Sequence, residues 1–193
     1  MNGSARTMSI DYSFFEECGI TLHMINDNPG QIVHGIIPEG RNLDFCACEL
    51  ERLQNSGVKG AILGYMPDCD GDRGNIVYWD KKSKSAKVLQ AQDVFALSVL
   101  SELAYGHWRN EKNKKYKPAV VVNGPTSMRI EEIAHAFKAE VFRAEVGEAN
   151  VVNLAREKRE QGYTVRILGE GSNGGNITYP ESVRDPLNTI FAL

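Results

Sequence analysis

Asp68-Cys69-Asp70-Gly71-Asp72-Arg73 is the stretch of this chain whose residue types and spacing could do chemistry. Alternate residues on an extended loop point the same way, so Asp68, Asp70 and Asp72 can converge on one hard, oxygen-seeking cation such as Mg²⁺. Three like charges do not gather cheaply without a cation to neutralise them. The preceding Gly60-Ala61-Ile62-Leu63-Gly64-Tyr65 reads as a buried strand. That puts the acidic run on the loop leaving the strand's carboxyl end, where ligand chemistry collects in open α/β sheets. An EF-hand loop also begins D-x-D-x-D, but it needs glycine at its sixth position and a bidentate Glu at its twelfth. Counted from Asp68, those positions hold Arg73 and Trp79, and the EF-hand reading fails. A solvated acidic turn is the remaining bland account. In such a turn Arg73 would be redundant and Met66-Pro67 an odd lead-in.

The run Pro67 to Arg73 resembles the metal-binding loop of the α-D-phosphohexomutases, the phosphoglucomutase and phosphomannomutase enzymes, usually written D-G-D-G-D-R. Cys69 replaces the commoner glycine and leaves the three carboxylates intact. Further on, Gly169-Glu170-Gly171-Ser172-Asn173-Gly174-Gly175 follows another predicted strand and is similar to the family's sugar-recognition loop, G-E-x-S-G. In this family a phosphoserine gives its phosphoryl group to one hydroxyl of a hexose monophosphate, and the resulting bisphosphate returns its other phosphate. A divalent cation and an arginine neutralise the group in flight. The resemblance therefore implies that Asp68, Asp70 and Asp72 hold Mg²⁺, that Arg73 faces phosphoryl oxygens, and that Glu170 and Ser172 meet the sugar hydroxyls. Each role has a plainer competitor. Arg73 could simply balance the aspartates, Ser172 could serve a turn or cap, and Glu170 could be a surface residue. Glu148, in the loop Glu145 to Asn150, suits a helix N-terminus as well as a substrate contact. Asn173 stands where the motif has glycine, with Gly174 one place late, which leaves sugar preference open.

The elements that must position these loops alternate between helix and strand. In the first part, helix is expected over Asp11–Cys18, strand over Ile20–Ile25, loop over Asn26–Gly40, helix from Asn42 or Asp44 to Gly57, and strands over 60–65 and 75–79. Lys81 to Ser85 reads as a polar turn. From Ala91 onward, helices are expected over 94–105, 128–138, 148–159 and 186–193, with strands over 119–122, 140–144 and 164–168. The Ala119-Val120-Val121-Val122 run is typical of a strand buried on both faces. The pattern implies two small three-layer α/β units with mainly parallel mixed sheets, residues 1–90 and 91–193. By resemblance these are the family's second domain, its first strand missing except for the end and following loop that Met1-Asn2-Gly3-Ser4 resembles, and its third domain, its last helix truncated. The chain contains neither the first domain's T-A-S-H-N-P serine loop nor the fourth domain's R-x-S-G-T-E phosphate loop.

Composition bounds the partners. The chain has 193 residues, a formal net charge of −3 and 42% hydrophobic residues, an ordinary globular balance that does not point to nucleic acid. The basic stretch Arg109 to Lys117 is broken by Glu111 and two asparagines and reads as a solvated connection. No apolar run reaches membrane-spanning length, and Met1 to Arg6 has no signal-peptide core. Cys18, Cys46, Cys48 and Cys69 make no disulfide or zinc spacing, so reduced thiols and a cytoplasmic setting are expected. His23, His34, His107 and His135 form no cluster.

The leading functional reading is a fragment of a phosphoglucomutase/phosphomannomutase-type isomerase, moving a phosphoryl group between O1 and O6 of a hexose phosphate. The remaining domains, the first and fourth, would be its partners in a full-length protein. The alternative is a non-catalytic sugar-phosphate-binding module, which the missing serine loop favours for the chain as given. A metal-dependent phosphatase is a third reading, but it would need a nucleophilic Asp at a strand end near residue 1, and none is there.

Overall fold

In the first unit, Met1–Gln90, the core is built between one amphipathic helix and a small sheet. The computed structural model describes residues 7–173 and 175–193, so the strand end expected at Met1 to Ser4 lies outside the described residues. A short helix, α1 (Tyr12–Glu17), buries Phe15 and ends where Gly19 turns to a left-handed φ of +73°. The strand expected over Ile20–Ile25 does not form; residues 20–25 are irregular, with Ile20 exposed. A strand is stable only when a neighbour completes its hydrogen bonds, and among the described residues no strand pairs with this segment. The next helix, α2 (Asp44–Asn55), turns Leu50 and Leu53 inward and is followed by Gly57 at φ +92°.

Among the described residues, three strands complete the unit: β1 (Leu63–Pro67), β2 (Gly74–Asp80) and β3 (Ser85–Val88). They pair antiparallel in the order β1-β2-β3. Met66 and Val77 share with Leu43 and Leu50 a core against which Cys46, Ala47, Trp79, Ala86 and Val88 pack. Burial pushes the Cys46 thiol up to about 11, so it is an inert packing group. The polar turn expected at Lys81–Ser85 is present, but Ser85 already belongs to β3, whose inward residues Ala86 and Val88 are too few to announce a strand in the sequence.

Asp80 holds that turn. Its carboxylate accepts from the Ser83 hydroxyl at 2.7 Å and the Lys82 amide at 2.9 Å, which together keep its pKa below the usual Asp value. A carboxyl pKa lowered by folding contributes stability above the unfolded pKa and loses it as pH falls through the folded one. The Asp80 carboxyl resonance should therefore titrate below the ordinary value of about 3.9, and Ser83→Ala should bring its midpoint back up. An unchanged midpoint in that variant would remove the hydroxyl as the cause.

The second unit, Ala91–Leu193, has the α/β layering in full. Its strands are β4 (Pro118–Asn123), β5 (Glu140–Ala144), β6 (Thr164–Glu170) and β7 (Gly175–Thr178), in the order β5-β4-β6-β7. β4 pairs parallel with β5 and β6, and β7 is an antiparallel edge. Among the described residues, parallel pairing is thus confined to this unit. Its helices are α3 (Ala91–Arg109), α4 (Arg129–Ala136), α5 (Glu148–Glu160) and α6 (Pro186–Ala192).

Alternation along β4 explains the two cores. Val120 and Val122 join Phe95, Val99 and Leu103 of α3 and Ile130 and Ala134 of α4. Ala119 and Val121 join Val151, Val152 and Ala155 of α5 on the other face. Each fully buried valine contributes roughly 1.5–3 kcal/mol over leaving it in water. Among the described residues no helix is long and apolar enough to cross a membrane.

Candidate functional site

The acidic run connects the two strands of a hairpin, β1 to β2, with Pro67 opposite Gly74. It is therefore not the strand-to-helix crevice of an open parallel sheet, and its geometry comes from the turn itself. Asp68 organises that turn. Its Oδ1 accepts from the amides of Gly71 and Arg73, both at 3.1 Å, while Gly71 takes a left-handed φ of +76°. Burial raises the Asp68 pKa and the nearby charges of Asp72 and Asp70 raise it further, against the hydrogen bond from the Arg73 amide. A group so placed gains from a cation.

Ligand oxygens of Asp68, Asp70 and Asp72 all lie within 4.8 Å of one another. Oxygens on opposite sides of a cation are about 4.2 Å apart for Mg²⁺ and up to about 5 Å for Ca²⁺, so the cluster is compatible with a divalent ion. Asp70 is exposed, while Asp68 and Asp72 are half-buried. Arg73 lies across the aspartates, its Nε 3.5 Å from Asp68 Oδ2 and 3.8 Å from Asp72 Oδ1. The structure thus places Arg73 where the charge-balancing reading has it. Cys69 is exposed on the same loop.

In the second unit the polar groups gather at the carboxyl ends of the parallel strands. β4 leads to α4 on one face of the sheet and β5 leads to α5 on the other, the kind of place in a parallel sheet where ligands bind. Glu170, the last residue of β6, is half-buried, and its Oε1 accepts from Asn123 Nδ2 at 2.8 Å and from the Gly147 amide at 2.9 Å. The buried Asn123 in turn accepts from Thr126 Oγ1 at 2.6 Å, and Thr126 Oγ1 accepts from the Gly171 amide at 3.0 Å. Glu170 is thereby a tie between three loops rather than a surface residue.

Ser172 is exposed on a single 3₁₀ turn, Gly171–Asn173. The glycine-rich stretch is mostly a hairpin: Gly169 pairs with Asn176 and Glu170 with Gly175, so β7 begins inside what reads as loop. Gly171 has a packing reason. A Cβ there would lie 2.5 Å from Gln92 Oε1 and 3.0 Å from Thr126 Cγ2. Gly174 lies outside the described residues. Glu148 opens α5 and pairs with Arg184 at 2.8 Å, which favours its helix-terminal account.

Asn123, Thr126, Gln92 and Arg143 support this site, and none was singled out from the sequence. Arg143 Nη1 donates to the carbonyls of Asn123, Gly124 and Thr126, and its Nε donates to Glu131 at 2.8 Å. Gln92 Oε1 accepts from the Ser127 amide at 2.9 Å. One signal pointed to Asn123: it is the polar residue closing a run of buried valines, at the end of a parallel strand where ligands bind.

The family model for phosphoglucomutase/phosphomannomutase, alpha/beta/alpha domain III, matches residues 99–190. No curated protein sequence matches the chain significantly. Among solved structures, the chain is similar to a phosphoglucomutase/phosphomannomutase family protein from Burkholderia thailandensis, with 16% identity and a TM-score of 0.70 over 97% of this chain and 36% of that one. It is also similar to a putative phosphomannomutase from Thermus thermophilus, with 18% identity and a TM-score of 0.65 over 99% of this chain and 39% of the other. A third is the exocytosis-sensitive phosphoprotein pp63/parafusin from Paramecium, with 16% identity and a TM-score of 0.63 over 96% and 30%. At such identities the likeness is one of fold, and the chain spans well under half the length of each.

Proposed function

We propose that this chain carries the metal-binding and sugar-recognition parts of a phosphohexomutase-type enzyme, acting in Mg²⁺-dependent phosphoryl transfer between O1 and O6 of a hexose phosphate. The observation that carries the reading is the convergence of Asp68, Asp70 and Asp72 on one point of the β1–β2 hairpin, in a chain whose second unit matches the mutase domain III model. The two units would correspond to the second and third domains of such an enzyme. The first and fourth would be their partners.

Asp68, Asp70 and Asp72 would hold the ion, which when bound supplies charge neutralisation to a phosphoryl group in transfer. Arg73 lies with its Nε near the aspartates, and a guanidinium has further N–H donors for phosphoryl oxygens. Ser172 would present its hydroxyl to the sugar. Glu170 would stand beside it, fixing Asn123 and Gly147 around the ring.

Titrating the chain with glucose 1-phosphate and Mg²⁺ should shift the amide resonances of Gly147, Gly171 and Ser172, with a dissociation constant of about 1 mM. Amides that stay still up to roughly ten times that concentration would overturn the sugar assignment. A coupled assay with a bisphosphate primer should show no turnover at ordinary enzyme rates, about 1 s⁻¹ or above, because the covalent route needs a serine loop that these residues do not contain. Such turnover would mean that the nucleophile lies elsewhere in this chain and that the proposed division of labour is wrong.

A further inference from the structure

At the end of the second sheet opposite Asn123 and Glu170, the C-terminal ends of α3 and α5 and the start of β6 line a cavity of about 540 Å³. That volume lies in the range of small-molecule sites, about 300–1,000 Å³. Its wall includes Arg109, Arg159 and Arg166 with the rings of Tyr105, Tyr163 and Tyr179. Arg166 is neutralised by Glu102 at 2.8 Å. Arg159 is not: it is half-buried, its Nε and Nη2 donate to the Val165 carbonyl at 2.9 and 2.8 Å, and no carboxylate pairs with it among the described residues. Burial lowers its pKa, the mark of a cation short of a counter-ion. Arg109 is exposed and makes no ion pair among the described residues. The two helix C-termini supply about half a negative charge each, which leaves roughly one positive charge in the cavity uncompensated.

The aromatic wall narrows the anion that would fit. Arg159 stacks on Tyr179 at 4.9 Å and Arg166 on Tyr105 at 5.7 Å, while Tyr105 and Tyr179 remain 48% and 50% exposed. Tyrosine faces backed by guanidinium groups suit stacking of a planar base, and unpaired guanidinium groups suit phosphate. We propose that this cavity binds a nucleoside phosphate, with the base on the tyrosines and the phosphate on Arg109 and Arg159. The site shares no residue with the hairpin or with the Glu170 network.

Calorimetric titration of the whole chain with AMP, ribose 5-phosphate and inorganic phosphate tests this. AMP should bind, and the two ligands without a base should bind at least about tenfold more weakly. Arg109→Glu, an exposed change, should weaken AMP at least about tenfold without altering Tm, and Tyr179→Leu should do the same through the ring. AMP should move the amides of Tyr163, Thr164 and Arg166 and leave Gly171 unmoved. The proposal is overturned by any of four results: no saturation by roughly 10 mM AMP, equal affinity for inorganic phosphate or ribose 5-phosphate, indifference to Arg109→Glu, or shifts centred on Gly171.

Discussion

Asn123→Ala should cost the second unit about 2–4 kcal/mol, because it takes a buried side chain away from two partners at once. Asn123 is 1% exposed; it donates to Glu170 and accepts from Thr126. Without it, Glu170 Oε1 loses the Asn123 donor while the Gly147 amide stays, and the Thr126 hydroxyl, which also holds the Gly171 amide, loses its acceptor. Truncation leaves desolvated polar groups without replacement bonds, and that is the expensive case. In urea the midpoint should fall with an unchanged slope, as for a loss of native-state stability alone. Amide exchange at Gly147 and Gly171 should rise together. A cost under about 0.5 kcal/mol, the size of an ordinary surface change, would show that the network is not cooperative.

Asp70→Asn combined with Asp72→Asn should lower Mg²⁺ affinity by at least about a hundredfold, or 2.7 kcal/mol, since two of three anionic ligands become neutral. The signature that separates ligation from folding is the opposite sign of the metal-free effect. Asp68 has its pKa raised first by burial and then by Asp72 and Asp70, so neutralising those two relieves repulsion on a half-buried charge. Asp68 keeps its bonds to the Gly71 and Arg73 amides, and the turn survives. The variant should therefore melt no lower than the parent without metal, yet lose the rise in Tm that Mg²⁺ gives the parent. Equal Mg²⁺-induced stabilisation in both would remove these aspartates as ligands.

Much of the second unit was legible because its signals are redundant. The valine run of β4, the apolar spacing of α3 and α5 and the glycines between elements all point the same way, and strand 140–144 falls where expected. Short or unaided elements were not legible. β3 shows only two inward residues, and β7 hides in a glycine-rich stretch because its register is set by β6. The segment Ile20–Ile25 has strand composition but no partner among the described residues.

At the candidate site, residue types that carry charge stood out and those that hold others in place did not. Asp68, Asp70 and Asp72 were visible as an alternating pattern, and the structure brings them together. The sequence places their loop between two strands, and the structure adds that those strands pair antiparallel. An antiparallel hairpin and a parallel-strand crossover both put a loop after a strand, and only pairing tells them apart. Asn123 and Thr126 act through single hydrogen bonds to residues far away in the chain, a relation with no local periodicity to reveal it.

The four cysteines of this chain differ in a way that makes the hairpin observable by simple chemistry. Cys46 is silent at neutral pH, held as a thiol by burial, whereas Cys18, Cys48 and Cys69 face solvent. Removing Cys18 and Cys48 would leave one accessible sulfur, seated between two of the carboxylates that would hold the ion. An ion seated on those carboxylates would also screen the exposed sulfur between them, so its rate of alkylation would report on the loop. Cys69 thus gives this loop a built-in gauge of its own occupancy, one that a glycine at the same place would not give.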